Sequence, residues 1–257
     1  MSLLETINLK KSFGDTHAVD NVSLRVAEAE FVSLVGPNGA GKTSLVNVIS
    51  AYLPADSGRI LFKGQDVTHT SVTARVKAGM ARSFQIVNLF DDLSTFDNVA
   101  LAIFSREGKT RNLSALAHLD RTVAAEAGKV LEQFGLAQKR NQPARDLAQG
   151  ERKLLDIALA YALKPKLLFL DEPTSGVSTR DKEHIMETIA SVVRAEGITA
   201  VIIEHDMDVV FKYSDRIVVM HQGAILAQGS AETIRRNDQV SMILLGSSAR
   251  DAFARKD

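Results

Sequence analysis

The chain contains no cysteine and no tryptophan among its 257 residues. Without cysteine, disulfides and thiolate metal sites are excluded, and the chain suits a reducing compartment. Without tryptophan there is no indole belt of the kind that marks a membrane interface. No apolar run reaches the roughly 18 residues that a spanning helix needs. The opening stretch MSLLETINLKKSFG has neither a long apolar core nor a cleavage site, so no signal peptide is expected there. A surplus of either charge is missing too: 31 Lys and Arg balance 31 Asp and Glu. No global field therefore draws the chain to nucleic acid or to an anionic membrane, and action at a membrane is expected to run through another chain. Internal repeats and low-complexity segments are also absent.

What remains is ordinary for a soluble globular protein, with 45% hydrophobic and 24% charged residues. The length allows one large domain, or a core with a smaller lobe.

The stretch FVSLVGPNGAGKTSLVNVIS, residues 31 to 50, organises the rest. Phe31 to Val35 reads as a short buried strand, and helical spacing resumes from Lys42 through Leu45, Val46, Val48 and Ile49. Strand, glycine loop and helix are the context that the phosphate-loop pattern G-x-x-x-x-G-K-[ST] requires, and Gly36, Gly41, Lys42 and Thr43 fill its fixed positions. A polyphosphate needs many donors in a small concave space, which backbone N–H groups supply only where no Cβ intrudes. Hence the glycines at 36, 39 and 41, with Asn38, Ala40 and Ser44 completing the cradle. The helix adds its positive dipole end to the same point. Lys42 offers a full charge to the phosphates, and the Thr43 hydroxyl is placed to ligate Mg²⁺.

Ahead of this loop, residues 3 to 28 alternate apolar and polar and predict two or three antiparallel strands, with Phe13-Gly14 in a turn between them. Arg59 to Phe62 reads as a strand closed by Lys63-Gly64, and Met80 to Phe84 as another ending at Gln85. From about Asp91 to Ala162 the apolar spacing turns helical (NVALAIF, LSALAHLDRTVAAEAGKVLEQFGL, ERKLLDIALAYAL), which predicts an insert of three or four helices. Strand character returns at Leu167 to Leu170, a continuous apolar run suited to a parallel strand. A helix over Thr179 to Glu196, a strand over Ile198 to Ile203, a short helix over Met207 to Ser214 and strands at 216–220 and 224–228 follow. The tail from about 230 predicts one helix and a frayed end.

The run Leu167-Leu168-Phe169-Leu170-Asp171-Glu172 ends a buried strand in two carboxylates. Asp171 is placed to hold Mg²⁺ directly or through water, and Glu172 to polarise an attacking water as general base.

Taken in order, GPNGAGKT, LAQGE at 147 to 151, LLFLDEPTSG and IIEHD at 202 to 206 resemble the motif set of ATP-binding-cassette ATPases, over about residues 3 to 230. The resemblance implies an α/β fold: a RecA-like phosphate-loop core with an antiparallel β subdomain and an inserted helical subdomain. The expected division is 1–86 and 163–230 for the nucleotide-binding core, 87–162 for the helical signature lobe and 231–257 for a C-terminal helix and tail. It also implies ATP and Mg²⁺ as cofactors and a residue-by-residue assignment. Phe13 matches the aromatic that stacks on adenine. Gln85 matches the loop glutamine that reaches Mg²⁺ and the attacking water, and His205 the histidine that hydrogen-bonds the γ-phosphate. Ala148, Gln149 and Gly150 stand in the signature segment, usually L-S-G-G-Q, whose helix N-terminus faces a nucleotide held by a second cassette.

Three positions depart from the pattern. Ala148 replaces the usual serine, Gln149 the first glycine, and Ser178 the customary aspartate after Ser175-Gly176-Val177. These leave one half of the site complete and predict a weaker contribution across a dimer. A partner with a full signature would compensate, so a heterodimer is favoured over a homodimer.

The stretches KSFGDTHAVDNVSLRV, ARSFQIVNLFDDLSTFDNVALA and EHDMDVVFKYSDRIVVMHQGAILAQGSAETI, and the ending QVSMILLG, resemble ATPase subunits of bacterial branched-chain amino acid importers. Lipopolysaccharide-export and urea- or amide-uptake ATPases share much of this pattern. The implied partners are transmembrane permease subunits, a second cassette and, indirectly, a periplasmic or extracellular solute-binding protein, with no nucleic acid. The implied location is peripheral, on the cytoplasmic face of the inner membrane. Leu89-Phe90 is the candidate for part of the permease-docking surface, with packing inside the helical lobe as the alternative. Two further classes stay open: a weakly hydrolysing regulatory subunit, and a soluble mechanical ATPase. Absent heptads and zero net charge argue against the second.

Overall fold

The computed structural model describes residues 2–83, 87–108 and 120–245. The chain divides into two compact units, residues 1–75 with 199–257 and residues 76–198.

In the first unit, β1 (Ser2–Phe13) and β2 (Thr16–Ala27) form an antiparallel hairpin. Leu4, Thr6 and Leu9 on one strand and Val22, Leu24 and Val26 on the other turn inward, as the period-2 pattern requires. Asn8 and Asn21 have φ of 48° and 54° and mark irregularities in the register, bulges of the kind that coil a ribbon. On the far side of β1 lies β4 (Ser57–Phe62), reached after β3, and Lys63-Gly64, both at positive φ, turn it into β5 (Gln65–Asp66).

The other sheet strands of this unit are β3 (Phe31–Val35), β8 (Thr199–Ile203), β9 (Arg216–His221) and β10 (Ala224–Gly229). β3 is buried throughout and runs parallel to both β8 and β9, which explains why its sequence is a continuous apolar run rather than an alternation. β9 returns antiparallel through Gln222-Gly223 into β10. The first helix, α1 (Lys42–Ile49), buries Leu45, Val46, Val48 and Ile49.

The C-terminal face of α1 is held by α2 (Val72–Ala78) through Arg75, which is 2% exposed. Its guanidinium donates to the carbonyls of Val48 (2.8 Å), Ile49, Val67 (2.7 Å) and Thr68 (2.9 Å). A cation here satisfies orphan helix carbonyls and opposes the negative end of the dipole. Burial pulls the Arg75 guanidinium down to about 10. Helix α2 is absent from the sequence-based expectation, because VTARVKA buries no apolar residue and only Arg75 points inward.

In the second unit, β6 (Met80–Arg82) pairs in parallel with β7 (Leu167–Asp171). Phe84, the expected end of β6, lies outside the described residues. Helices α3 (Thr95–Arg106), α4 (Arg121–Gln133) and α5 (Gln149–Ala162) pack together through Phe96, Val99, Ile103, Val123, Ala127, Leu131 and Leu155. Residues 113–119 of the second expected helix also lie outside the described residues. Arg106, near the end of α3, bridges to Glu126 on α4 (2.6 Å) and to the last carbonyl of α5, that of Ala162 (2.7 Å). Helix α6 (Thr179–Ala195) follows β7, capped by Ser178.

Back in the first unit, α7 (Met207–Tyr213), α8 (Ala231–Arg235) and α9 (Asp238–Leu245) complete the structure; Val210, Ile234 and Val240 from them share a core with Val35, Ile217 and Val219. The expected single tail helix is in fact α8 and α9. They are separated at Asn237, whose side chain accepts the N–H groups of Gln239 (3.0 Å) and Val240 (3.1 Å) and so starts a new helix. Residues 246–257 fall outside the described residues.

Candidate functional site

The phosphate loop leaves the carboxyl end of β3. Its shape is set from behind. An added Cβ at Gly36 would stand 2.2 Å from the Met220 carbonyl oxygen, and one at Gly41 2.1 Å from that of Ala18. Gly223, in the β9–β10 turn, donates its N–H to Ala40 (3.0 Å) and accepts that of Asp20 (2.8 Å). Two backbones thus press on the loop, and glycine is required at 36 and 41 for that approach as well as for φ of 151° and 97°. Gly39 differs: its φ is 79°, and its Cβ position is open on all sides.

Lys42 is 6% exposed, and its ammonium donates to the carbonyls of Gly36 (2.7 Å) and Pro37 (3.0 Å), folding back over the loop. Asn38 and Gly39 are exposed, Ala40 is buried, and Thr43 and Ser44 lie exposed and half-buried on the first turn of α1, which carries no acidic residue. The donor set is suited to an anion.

Leu34 pairs with Ile203 across the parallel β3–β8 ladder, so the phosphate loop and Glu204-His205 emerge at the same carboxyl edge, where open α/β sheets bind ligands. His205 is exposed, and its N–H donates to the Glu204 carboxylate at 2.9 Å. Phe13 closes β1 opposite Thr16 and is 50% exposed, with the Lys11 ammonium 5.7 Å from its ring centre. An aromatic left this open is not filling the core. It stands on the hairpin whose Ala18 abuts the phosphate loop, a position suited to offering a face to a base.

In the second unit, Arg82 on β6 pairs with Phe169 on β7, and both strands lead into chain at one edge. Asp171 is almost fully buried. One carboxylate oxygen accepts from Arg82 Nη2 at 2.7 Å, and the other has no hydrogen-bond partner among the described residues. A buried carboxylate oxygen without a partner is costly unless a cation meets it, and a hard oxygen donor of this kind fits Mg²⁺. Sequence reading missed Arg82, because the pair joins residues 89 positions apart that belong to no shared motif. Glu172 follows at φ 49°, a left-handed conformation that costs a non-glycine residue on the order of 1–3 kcal/mol and is found preferentially at functional sites. Gln85 lies outside the described residues.

Ala148 is the N-cap of α5 and has no side-chain acceptor to give. Only the reciprocal half of a capping box survives, the Glu151 carboxylate accepting the Ala148 N–H at 3.0 Å. The Gln149 amide lies over Gly176, where an added Cβ would come within 2.7 Å of its nitrogen, and Gly150 faces Asp181 and Ile185. Ser178 accepts the Asp181 N–H (3.2 Å) and donates to the Asp181 carboxylate (2.7 Å), so serine caps α6 as well as the customary aspartate could. Phe90 is 60% exposed and Leu89 half-buried; the Phe90 backbone is tied to the Asn98 side chain.

A glycine loop wrapping the start of a helix beside a histidine-bearing loop, and a strand ending in two adjacent carboxylates, the first paired with Arg82 of β6, define an ATP-binding cassette. The family model described as ABC transporter matches residues 19–175, and the chain belongs to that family of transport ATPases. It is 34% identical over 253 residues to the high-affinity branched-chain amino acid transport ATP-binding protein BraF of Pseudomonas aeruginosa, covering 95% of this chain and 98% of BraF. It is 35% identical over 254 residues to LivG of Escherichia coli K12, a protein of the same description, with coverages of 95% and 98%. Among solved structures, the ATP-binding cassette MJ1267 superposes with a TM-score of 0.84 at 31% identity, covering 96% of this chain and all of that one. The ADP conformation of MJ1267 gives a TM-score of 0.80 at 30% identity over the whole of both chains. Among the described residues no helix is long and apolar enough to cross a membrane.

Proposed function

We propose that this chain is the ATP-hydrolysing subunit of an importer of branched-chain amino acids or a related small solute, working at the cytoplasmic face of the inner membrane. The observation that carries the reading is near end-to-end similarity, at 34% and 35% identity, to BraF and LivG. Its partners are transmembrane permease subunits, a second cassette and, through the permease, a solute-binding protein. The chain itself does not read the solute, so the solute class rests on this likeness alone.

The site residues take the following parts. Phe13 holds the adenine face. The backbone of Gly36 to Gly41, with Lys42, Ser44 and the start of α1, binds and orients the phosphates, and the doubly held Lys42 ammonium needs little reorganisation to do so. Thr43, Asp171 and Gln85 would hold Mg²⁺, whose contribution is to neutralise charge developing on the phosphates. Glu172 takes a proton from the attacking water as general base, and His205 donates to the γ-phosphate. Ala148, Gln149 and Gly150 offer the α5 N-terminus to a nucleotide on the second cassette. The lack of a side-chain acceptor at Ala148 supports a pairing in which that cassette brings a full signature, a heterodimer. Closure of the pair moves the permease helices docked near Gln85 and Leu89-Phe90, and hydrolysis resets it.

The test is co-purification of the full chain from its own membranes, followed by a transported-solute screen. Recovery of permease subunits with a second cassette, and uptake of leucine, isoleucine or valine lost in Lys42→Ala, is expected. Recovery with an export complex, or uptake of urea or amides only, would overturn the importer or the solute assignment respectively.

A further inference from the structure

The turn after β7 is gripped by the helix that bears the signature segment. Glu172 has a φ of 49° and precedes Pro173, a position at which the chain is ordinarily extended. A non-glycine residue persists there only where its surroundings over-determine it. The surroundings on α5 are specific. Lys153 is 6% exposed, and its ammonium lies 3.3 Å from the Glu172 carbonyl oxygen and 3.3 Å from Ser175 Oγ. The same carbonyl accepts the Ser175 N–H at 3.1 Å. One helical turn earlier on the same face, the Gln149 amide nitrogen lies 2.7 Å from where a Cβ on Gly176 would stand, and Gly176 itself has a φ of 75°. The segment 172–176 is therefore held by Lys153, through Glu172 and Ser175, with the Gln149 amide lying beside Gly176.

A buried ammonium is a costly way to fill space. Leucine or methionine would pack here beside Leu154, Ile157 and Ala158, all buried, without donating to that carbonyl. We infer that Lys153 is a positioning residue for ATP hydrolysis: from the signature helix it fixes the Glu172 peptide, and so sets the direction of the Glu172 carboxylate. This rests on the reading of Glu172 as general base. Its consequence is a short mechanical link, because any displacement of α5 reaches the Glu172 backbone of the same chain through one side chain.

The experiment compares steady-state hydrolysis and nucleotide binding, with a fluorescent ATP analogue, in the full chain and in Lys153→Met, Lys153→Arg, Glu172→Gln and the Lys153→Met/Glu172→Gln double variant. A misplacement of about 1 Å costs on the order of 10²-fold in rate, so Lys153→Met should lose about that much kcat with KM and analogue affinity unchanged. Lys153→Arg, which still donates, should recover most of it. In the Glu172→Gln background Lys153→Met should cost nothing further. An equal fall in kcat in both backgrounds overturns the inference, as does a raised KM with kcat intact. Unimpaired turnover by Glu172→Gln alone would instead remove the general-base assignment, and this inference with it. If Lys153→Met no longer binds the analogue, Lys153→Gln replaces it with the same two outcomes.

Discussion

Gly41 and Gly39 should respond differently to an added methyl group. At Gly41 the methyl would sit 2.1 Å from the Ala18 carbonyl oxygen and 3.3 Å from Gly223 Cα, both backbone atoms that cannot swing aside. At Gly39 it would meet nothing within 4 Å. Both residues have positive φ, at 97° and 79°. The left-handed conformation costs an alanine about 1–2 kcal/mol, and overpacking adds about 1–3 kcal/mol where neighbours must shift. Gly41→Ala should therefore lose about 2–5 kcal/mol and Gly39→Ala about 1–2. For a chain of this size each kcal/mol moves Tm by about 2–4 °C, which separates the two in a thermal melt. Repeating the melt with Mg-ATP reads binding, since a ligand that binds only the native state stabilises it by RT ln(1 + [L]/Kd). Gly39→Ala is expected to melt about 2–8 °C below the parent and yet gain little from nucleotide, its methyl standing where phosphate oxygens approach. Gly41→Ala is expected to melt well below both. A Gly41→Ala protein melting with the parent would refute the idea that the loop is braced from behind by β2 and the β9–β10 turn.

Ala148→Ser restores a hydroxyl acceptor to a helix start that already has its Glu151 partner, and should add about 1 kcal/mol of stability, read as a small rise in Tm. The same variant should raise ATP-dependent pairing or turnover in the assembled complex, and both staying unchanged would refute a weakened signature. Arg75→Met removes the guanidinium from the carbonyls of Val48, Ile49, Val67 and Thr68, of which Val48 and Val67 keep the N–H groups of Ala51 and Thr70. At about 1–3 kcal/mol for each buried group left unsatisfied, it should unfold in markedly lower urea, whereas a parent-like midpoint would contradict the capping role. Hydrogen bonding from Arg106, with help from Lys164, holds the Glu126 carboxyl at about 2 against an ordinary 4.5. Because the folded-state value is the lower one, this contribution is complete above pH 4.5 and is lost as pH falls through about 2. Glu126→Gln should flatten the acid limb of the stability curve in that window, and an unchanged limb would count against the ion pair.

Much of the cassette was legible because its signals are local. β3 and β7 are unbroken apolar runs, and the phosphate loop pairs a strand with a helix across fixed glycines. What the chain concealed is non-local or carries no apolar signal. Helix α2 escapes a hydrophobic pattern because its buried residue is arginine. Arg82 and Lys153 meet Asp171 and the Glu172 backbone across 89 and 19 positions. One cue was present for Lys153: a cation four residues before Ile157, buried together with Asp156 among the apolar residues of α5. Residues 230–245 read as one helix because Arg235 and Asn237 disturb the apolar spacing no more than surface residues would. Only the Asn237 side chain, capping forward onto Gln239 and Val240, makes the break.

The most direct test of the central claim is phosphate release by the purified full chain with ATP and Mg²⁺, set beside Glu172→Gln and Lys42→Ala. Metal-dependent release that falls about 10²–10⁴-fold in Glu172→Gln while nucleotide still binds is the expected result, the range that loss of a general base imposes. Lys42→Ala should lose nucleotide binding and release together. Release undiminished by either substitution would contradict the account.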